Sequence, residues 1–465
     1  MFEIKTSMHA IPYTQLLLYY IILFTLYLLF LRNVKPTLTT MVIILLFNQG
    51  FILLIDDQGL PTKVLFILLS FAILFKARLT DLKKSERLAF GMAIIFAILF
   101  YVSYVYSGVS LLWASYQYYK YFVPLALYFG IRGLNLSSEQ ARYYAELIIK
   151  LMWFQIAFSV VKLIIMGFRE NITGSISDTG GNIGITFAVC SLILYWIIKG
   201  KYFSGRDWWF VFLVLIIPVA SNKRAIWFLY PIVLLLLLTD KINERTLRKI
   251  AIVMMLMPLI VYVGLRLNPT LNPERKLWGS YNPQYALDYA LSYSGVSEEK
   301  MESDLAQGRW GTTIGTIGNV LVHPFSQENL IGFARARSGR LDFSEFDSEL
   351  HGLARGTMLS GIAMMLLQFG WPAALALLML YLMLIKTVQD RRLRTTLSFF
   401  IIWDTFFYSG TVINTTAHAV ILVFTILTAQ RLSIPDRSKI TAEGLRKPAT
   451  FIEPEARTYA SGSRH

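Results

Sequence analysis

Cysteine is almost missing from the sequence, because the 465 residues include only Cys190, which lies inside an apolar stretch. One cysteine cannot form an intramolecular disulfide or supply the clustered thiolates of a structural zinc site. Asp56 and Asp57 are the best pair for a divalent cation, and a capped turn explains them better. The sequence also lacks a phosphate-binding glycine loop. We therefore expect a protein that uses no cofactor, no bound metal and no ATP.

Charged residues are scarce as well, at 16% of the chain, whereas apolar residues make up 55% and aromatic residues 14%. Together with a mean hydropathy of +0.53, this composition excludes a soluble enzyme and predicts an all-α polytopic integral membrane protein. A formal net charge of +15 would suggest a nucleic-acid partner in a soluble chain. Here the cations lie mostly in short loops between apolar stretches, so we expect a lipid bilayer and no nucleic acid.

Apolar stretches of about 20 residues recur along the chain, and this length lets a helix cross the hydrocarbon core of a bilayer. They begin near residues 11, 38, 62, 88, 109, 144, 181, 207, 224, 247, 357, 393 and 415. Helices satisfy their own backbone hydrogen bonds, which lipid cannot do. The sequence therefore predicts about 12–13 transmembrane helices.

Basic loops fall on alternate connections between these stretches, as in 76–87, 131–142 and 386–394. Cytoplasmic loops of membrane proteins are enriched in lysine and arginine, so all of these loops can lie on one side. The chain is then divided into N-terminal transmembrane helices (1–267), a large periplasmic or extracellular loop carrying active-site residues (268–356), C-terminal transmembrane helices (357–433) and a disordered cytoplasmic tail (434–465).

Lys223 and Arg224, in SNKR, lie on the outer side in this topology, against the positive-inside trend. A cation on the disfavoured side suggests a bound anion, and the alternative is contact with lipid headgroups. The large external loop adds the discrete arginines Arg309, Arg335, Arg337, Arg340 and Arg355. Because these arginines are interspersed with carboxylates, they fit bidentate binding of phosphate better than a solvated charged face.

The external loop also contains the candidate general bases. His351, in ELHGLARG, is the best candidate, because an unperturbed imidazole titrates near neutrality and accepts a hydroxyl proton. Asp347 and Glu349 are alternative bases in the same loop. Each of the three side chains also has a simpler interpretation as a solvated surface residue.

Lys120 lies among tyrosines in SYQYYKYF, halfway along a predicted transmembrane helix. A lysine at that depth marks a substrate path or a buried ion pair. Asp404, in another predicted helix, is the obvious partner for such a pair. The sequence leaves both interpretations open.

Four stretches occur in an order that resembles the O-antigen polymerase and O-antigen ligase superfamily. They are NITGSISDTGGNIG (171–184), SNKRAIW (221–227), QGRWGTTIGTIGNVLVHPFSQENLIGFA (307–334) and LLQFGWPAALALLML (366–380). In that superfamily a glycine-containing turn opens one helix and an arginine opens another. A large periplasmic loop then carries an arginine and a His-Pro element, and a glycine break interrupts the following helix. The resemblance covers roughly residues 165–390.

This resemblance implies a metal-independent, inverting membrane glycosyltransferase of the GT-C type that acts on polyprenyl-diphosphate-linked glycans. By motif position, Arg224 and Arg309 would hold the diphosphate leaving group, and Arg335 and Arg337 follow the His-Pro element with a looser match. Lys223 and Arg355 are further candidates for the same anion. The implied location is the bacterial inner membrane, with multiple passes and the active site facing the periplasm or exterior.

The ligase branch carries a His-Asn pair about a dozen residues before the glycine break, and here that spacing falls near Leu359 and Ser360. This difference favours a polymerase of lipid-linked repeat units for O-antigen, capsule or exopolysaccharide. The alternatives are a ligase that transfers finished glycan to a lipid A core or another acceptor, and a flippase or transporter. The expected partners are a lipid-linked donor and acceptor, with a chain-length regulator and export proteins as further candidates.

Overall fold

The computed structural model describes residues 33–47, 60–167, 172–176, 182–200, 203–221, 223, 225–239, 255, 258, 262–268, 271–276, 278–294, 309–332, 359–408 and 415–432. Every regular element in these ranges is a helix, and the described residues contain no strand. The predicted all-α fold class is therefore confirmed for this part of the chain.

The helices of these ranges are numbered in chain order. They are α1 (Val34–Leu46), α2 (Leu60–Lys76), α3 (Lys84–Tyr106), α4 (Leu111–Gly133), α5 (Ser138–Met166), α6 (Asn182–Ile198), α7 (Asp207–Leu213), α8 (Ile216–Ala220), α9 (Ile226–Leu238), α10 (Pro283–Ser294), α11 (Arg309–Val322), α12 (Gln327–Ile331), α13 (Gly361–Lys386), α14 (Arg391–Phe407) and α15 (Thr416–Leu432). Three of them, α10 to α12, lie inside the predicted external loop 268–356. The described part of that loop is therefore mainly helical.

Three described helices, α3, α5 and α13, are long enough and apolar enough to cross a membrane. The shortest of the three, α3, has 23 residues, and at about 1.5 Å per residue it exceeds the roughly 30 Å of a hydrocarbon core. Shorter apolar helices include α1, α6, α9 and α15. This pattern is consistent with a helical membrane protein, whereas the predicted number of spans, their orientation and the GT-C arrangement stay predictions.

The helix α13 lies at the centre of the described bundle. It packs against α3, α11, α12 and α14, and every residue from Gly361 to Gly370 is buried. The helix α15 is also buried nearly all round, and it packs against α4, α5 and α6. A helix that is apolar on every face needs protein or lipid around it. These two helices therefore form the core against which the candidate site is built.

Side-chain caps fix where three of the helices begin. The Ser137 hydroxyl accepts a hydrogen bond from the Gln140 backbone N–H, and the Gln140 side chain accepts one from the Ser137 N–H. Asp390 accepts from backbone N–H groups in the first turn of α14. At the start of α13, the Ser360 hydroxyl accepts from the Ala363 N–H. Each cap satisfies donors that the first turn of a helix leaves free.

Cysteine labelling can test the predicted orientation, because Cys190 is fully buried and leaves no accessible thiol in the described residues. A cysteine introduced at Ser294 should react with a membrane-impermeant maleimide in intact spheroplasts, since the basic loops predict that 268–356 lies outside. The matched variant Ser461→Cys should react only after the membrane is permeabilised. The opposite labelling pattern would reverse the predicted topology.

Candidate functional site

The helix α13 is broken at Gly370, within the sequence QFGWP. Gly370 has φ +78° and ψ 167°, a positive-φ conformation that glycine adopts without a steric penalty. Pro372 follows and has no backbone N–H with which to continue the helical hydrogen bonds. The break therefore frees backbone groups in the buried half of this helix.

The neighbouring helix α3 supplies partners at the break. In a regular helix the Gln368 carbonyl would accept from residue 372, which is a proline here. The Ser103 hydroxyl donates to that carbonyl at 2.9 Å instead. The Gln368 side-chain amide in turn donates to the Tyr104 hydroxyl at 2.7 Å. All of these side chains are buried, so α3 satisfies a polar group that the break leaves free.

The helix α11 of the predicted external loop runs beside the first half of α13. The Thr313 hydroxyl donates to the Ser360 hydroxyl at 2.6 Å, and the Trp371 indole N–H donates to the Pro324 carbonyl at 2.9 Å. Both pairs are separated by 47 residues in sequence. The two segments therefore run parallel and in register from the cap of α13 to its break.

The short helix α12 then lies directly on the break. The Asn329 side chain donates to the His323 carbonyl at 2.9 Å and closes the His-Pro turn that precedes α12. A Cβ atom on Gly332 would lie 2.5 Å from the backbone nitrogens of Phe369 and Gly370. A Cβ atom on Gly370 would clash with the Leu330 carbonyl oxygen. The two backbones approach this closely because both positions are glycine.

Alanine at Gly370 should loosen this contact. The new methyl group would meet the Leu330 carbonyl and require an unfavourable positive φ, so we expect a loss of about 1–3 kcal/mol in stability. Thermal unfolding in detergent and protease sensitivity around α12 would measure the effect. The matched control is Gly315→Ala in α11, where a Cβ atom meets nothing within 4 Å, and it should be neutral or slightly stabilising. Equal behaviour of the two variants would contradict this explanation of the break.

Aromatic side chains from α3, α4 and α13 surround the residue before the break. The Phe369 ring contacts Phe100 with a centroid distance of 5.2 Å and Tyr121 with one of 5.7 Å. Lys120 lies half-buried next to this cluster, with its Nζ 5.6 Å from the centroid of the Tyr121 ring. The structure thus brings Lys120 near the break, and its role on a substrate path stays a prediction.

Lys120 and Asp404 are not paired among the ion pairs of the described residues, contrary to the partnership that the sequence suggests. The helix α4 carries Lys120 and packs against α2, α3 and α15. Asp404 is fully buried on α14, which packs against α9, α11 and α13. The helices that carry the two side chains therefore have different main neighbours.

The turn in NITGSISDTGGNIG is held on α5. The Gln155 side-chain oxygen accepts from the Ser175 backbone N–H at 2.7 Å, and Lys162 Nζ donates to the Gly174 carbonyl at 2.7 Å. Ser175 and Gln155 are both buried. The polar side chains of α5 thus fix the described turn that precedes α6.

The stretch SNKRAIW lies next to residues 262–268. A Cβ atom on Gly264 would lie 3.1 Å from the Trp227 ring. Lys223 is half-buried, and its backbone N–H donates to the Pro218 carbonyl at 3.0 Å. Lys223, one of the predicted diphosphate-binding cations, therefore lies four residues before the contact between Trp227 and Gly264, close to where the predicted external loop begins.

Few of the predicted site residues belong to the described ranges. Arg309 is the first residue of α11. The others, apart from Lys223 and Lys120, lie outside the described residues: His351, Asp347, Glu349, Arg224, Arg335, Arg337 and Arg355. Their roles stay predictions. Within the described ranges, no group of three or more His, Cys, Asp or Glu side chains could hold a metal ion.

Several of the polar residues that build this region were not predicted from the sequence. Gln368 and Gln155 were missed, although a glutamine immediately before a Phe-Gly-Trp-Pro break is a visible signal. Lys162 was missed too, although it interrupts the apolar run FSVVKLIIM. Ser103 and Tyr104 carry no comparable signal, because their partners lie far away in sequence.

Comparisons with protein-family models, curated proteins and solved structures found no match to this chain. The resemblance to the O-antigen polymerase and ligase superfamily therefore depends on the four stretches, their order and their placement. In the described residues, two of these stretches contact each other at the break of α13.

Proposed function

We propose that the protein is a membrane glycosyltransferase that polymerises polyprenyl-diphosphate-linked oligosaccharide repeat units for O-antigen, capsule or exopolysaccharide. The order of the four stretches supports this proposal. The structural observation that carries it is the docking of α11 and α12 onto the break of α13. This contact joins the segment with the arginine and the His-Pro turn to the helix with the glycine break.

In the proposed reaction, a sugar hydroxyl of the acceptor attacks the anomeric carbon of the donor. The new C–O bond forms as the bond to the diphosphate oxygen breaks, and polyprenyl diphosphate leaves with the bonding electrons. The hydroxyl proton passes to His351, or to Asp347 or Glu349 as alternatives, and the anomeric configuration inverts. Arg224 and Arg309 stabilise the negative charge that grows on the leaving group.

The chain between α12 and α13 carries most of the proposed catalytic groups. It leaves the described residues at Gly332, against Gly370, and re-enters them at Leu359, next to the cap of α13. The first half of α13 is therefore the described part of the chain that adjoins both ends of this segment.

A transfer assay in detergent distinguishes this function from the alternatives. The purified protein is incubated with a synthetic polyprenyl-diphosphate repeat unit, with and without a lipid A core acceptor, and the products are separated on a gel. A polymerase gives a ladder without nucleotide sugar or ATP. A ligase gives product only when the lipid A core is present, and a flippase or transporter makes no new bond. The last two outcomes would each refute the proposal.

A further inference from the structure

The described residues of the turn between Tyr262 and Asn282 (262–268, 271–276 and 278–282) include two exposed aromatic residues. Trp278 is 50% exposed and Tyr281 is 47% exposed. Asn282 and the helix α10 follow directly, and α10 packs against α11 of the candidate site. The turn also begins beside Trp227 of SNKRAIW, which packs on Gly264. It is therefore a neighbour of two stretches on which the proposed function depends.

Hydrogen bonds connect the described residues of this turn. The buried Asn272 side chain donates to the Asn268 carbonyl at 2.9 Å and to the Lys276 carbonyl at 2.8 Å. The Ser280 backbone N–H donates to the Glu274 carboxylate at 2.7 Å, and this hydrogen bond lowers the pKa of that carboxyl below its ordinary value. The two exposed aromatic residues therefore lie on a hydrogen-bonded backbone.

Arg266 supports one side of the Trp278 ring. Its guanidinium lies 4.5 Å from the ring centroid, and it donates to the Gly279 carbonyl at 2.9 Å and to the Tyr262 hydroxyl at 2.7 Å. Tyr262 in turn contacts Tyr281, with ring centroids 5.0 Å apart. Arg266 thus supports the Trp278 ring and Tyr262 supports the Tyr281 ring, while about half of each of these two residues remains exposed.

The backbone of Trp278 has an unfavourable conformation. Its φ is +57°, in the left-handed region that bulky side chains rarely occupy. Such strain persists where the surrounding structure enforces it, and it is common at ligand-binding positions. Glycine would satisfy the backbone at this position without strain. The turn therefore carries an indole ring where the backbone alone favours glycine.

We infer that Trp278 and Tyr281 form a stacking platform for a pyranose ring of the glycan substrate. The C–H face of a pyranose is apolar and packs on the negative face of an aromatic ring, and Arg266 fixes the ring from the other side. The identity of the ligand as a glycan rests on the proposed function. A tryptophan that only anchors the membrane interface requires neither the strained backbone nor the buried Asn272 brace.

The test uses the purified full-length protein in detergent and an array of soluble pyranose oligosaccharides that carry neither lipid nor diphosphate. Trp278→Gly removes the ring and places at this position a residue that adopts the positive φ without strain, whereas Trp278→Phe keeps an aromatic face. We expect Trp278→Gly to weaken binding about tenfold or more while its melting temperature stays the same or rises. Trp278→Phe should retain most of the binding.

Three results would overturn the platform. In the first, the wild-type protein retains no oligosaccharide. In the second, Trp278→Gly binds oligosaccharide as well as the wild type does. In the third, Trp278→Gly loses binding and its melting temperature falls as well. The last result would assign the ring a packing or membrane-interface role. Because the array measures no turnover, a protein that binds sugars but makes no polymer would refute only the polymerase. A polymerase whose Trp278→Gly variant binds normally would refute only the platform.

Discussion

Replacing Arg224 or Arg309 by lysine should reduce the rate of polymer formation by about 10²- to 10³-fold. An ammonium group keeps the positive charge, but it cannot reproduce the planar two-donor fork with which a guanidinium binds phosphate oxygens. The measurement is the initial rate of polymer formation by purified variants at equal protein concentration. Binding of the lipid-linked donor should weaken less than the rate, because charge grows on the diphosphate in the transition state.

Arg142→Lys is the matched control for these arginine variants. Arg142 is 57% exposed on α5, and its Nε lies 2.9 Å from the Glu146 carboxylate. Surface ion pairs of this kind contribute little to stability, so the control should behave as wild type. Full polymer production by both Arg224→Lys and Arg309→Lys would instead make these residues topology signals or headgroup contacts.

His351→Ala should lower turnover by about 10²- to 10⁴-fold while the lipid-linked donor still binds, because the acceptor hydroxyl must lose a proton during transfer. Single-turnover rates, compared with donor binding measured separately, would separate the loss of a base from the loss of a binding contact. An acceptor with a more acidic nucleophile should be affected less, since it needs less help to deprotonate.

His323→Ala is the control for the histidine variant, because it lies in the same predicted loop and its side chain is exposed. The Asn329 hydrogen bond to residue 323 uses the backbone carbonyl, which the substitution keeps. This control should remain active. Wild-type turnover of His351→Ala, combined with a collapse in Asp347→Asn or Glu349→Gln, would identify a carboxylate base. Activity in all three variants would exclude each of them as the base.

Composition and hydropathy were sufficient to predict an all-α fold with helices long and apolar enough to cross a membrane, because lipid permits few other structures for long apolar runs. The break of α13 also has a local cause that is readable in Gly370 and Pro372. Sequence does not report which helices are neighbours, and for that reason the suggested pairing of Lys120 with Asp404 was not reproduced. The contact between Gln368 and Tyr104 spans 264 residues, so no local pattern announces it.

The helix α11 was predicted as part of a loop because of its composition. Its sequence, RWGTTIGTIGNVLV, combines glycines and β-branched residues that have low helix propensity. It is also too short to register as a transmembrane span. Packing on α13 overrides this weak local preference, with Thr313 and Thr316 buried on the contact side and Ile314 and Leu321 exposed. Tertiary contacts of this kind are the part of the site that the sequence could not reveal.

The most direct measurement of the central claim is the product of one turnover. Purified wild-type protein in detergent is mixed with a synthetic polyprenyl-diphosphate repeat unit and no nucleotide, and the mixture is analysed by mass spectrometry and NMR. We predict a lipid-linked dimer with inverted anomeric configuration and one polyprenyl diphosphate released for each new glycosidic bond. Intact donor after incubation with folded protein, or a dimer that retains the donor configuration, would contradict the proposed function.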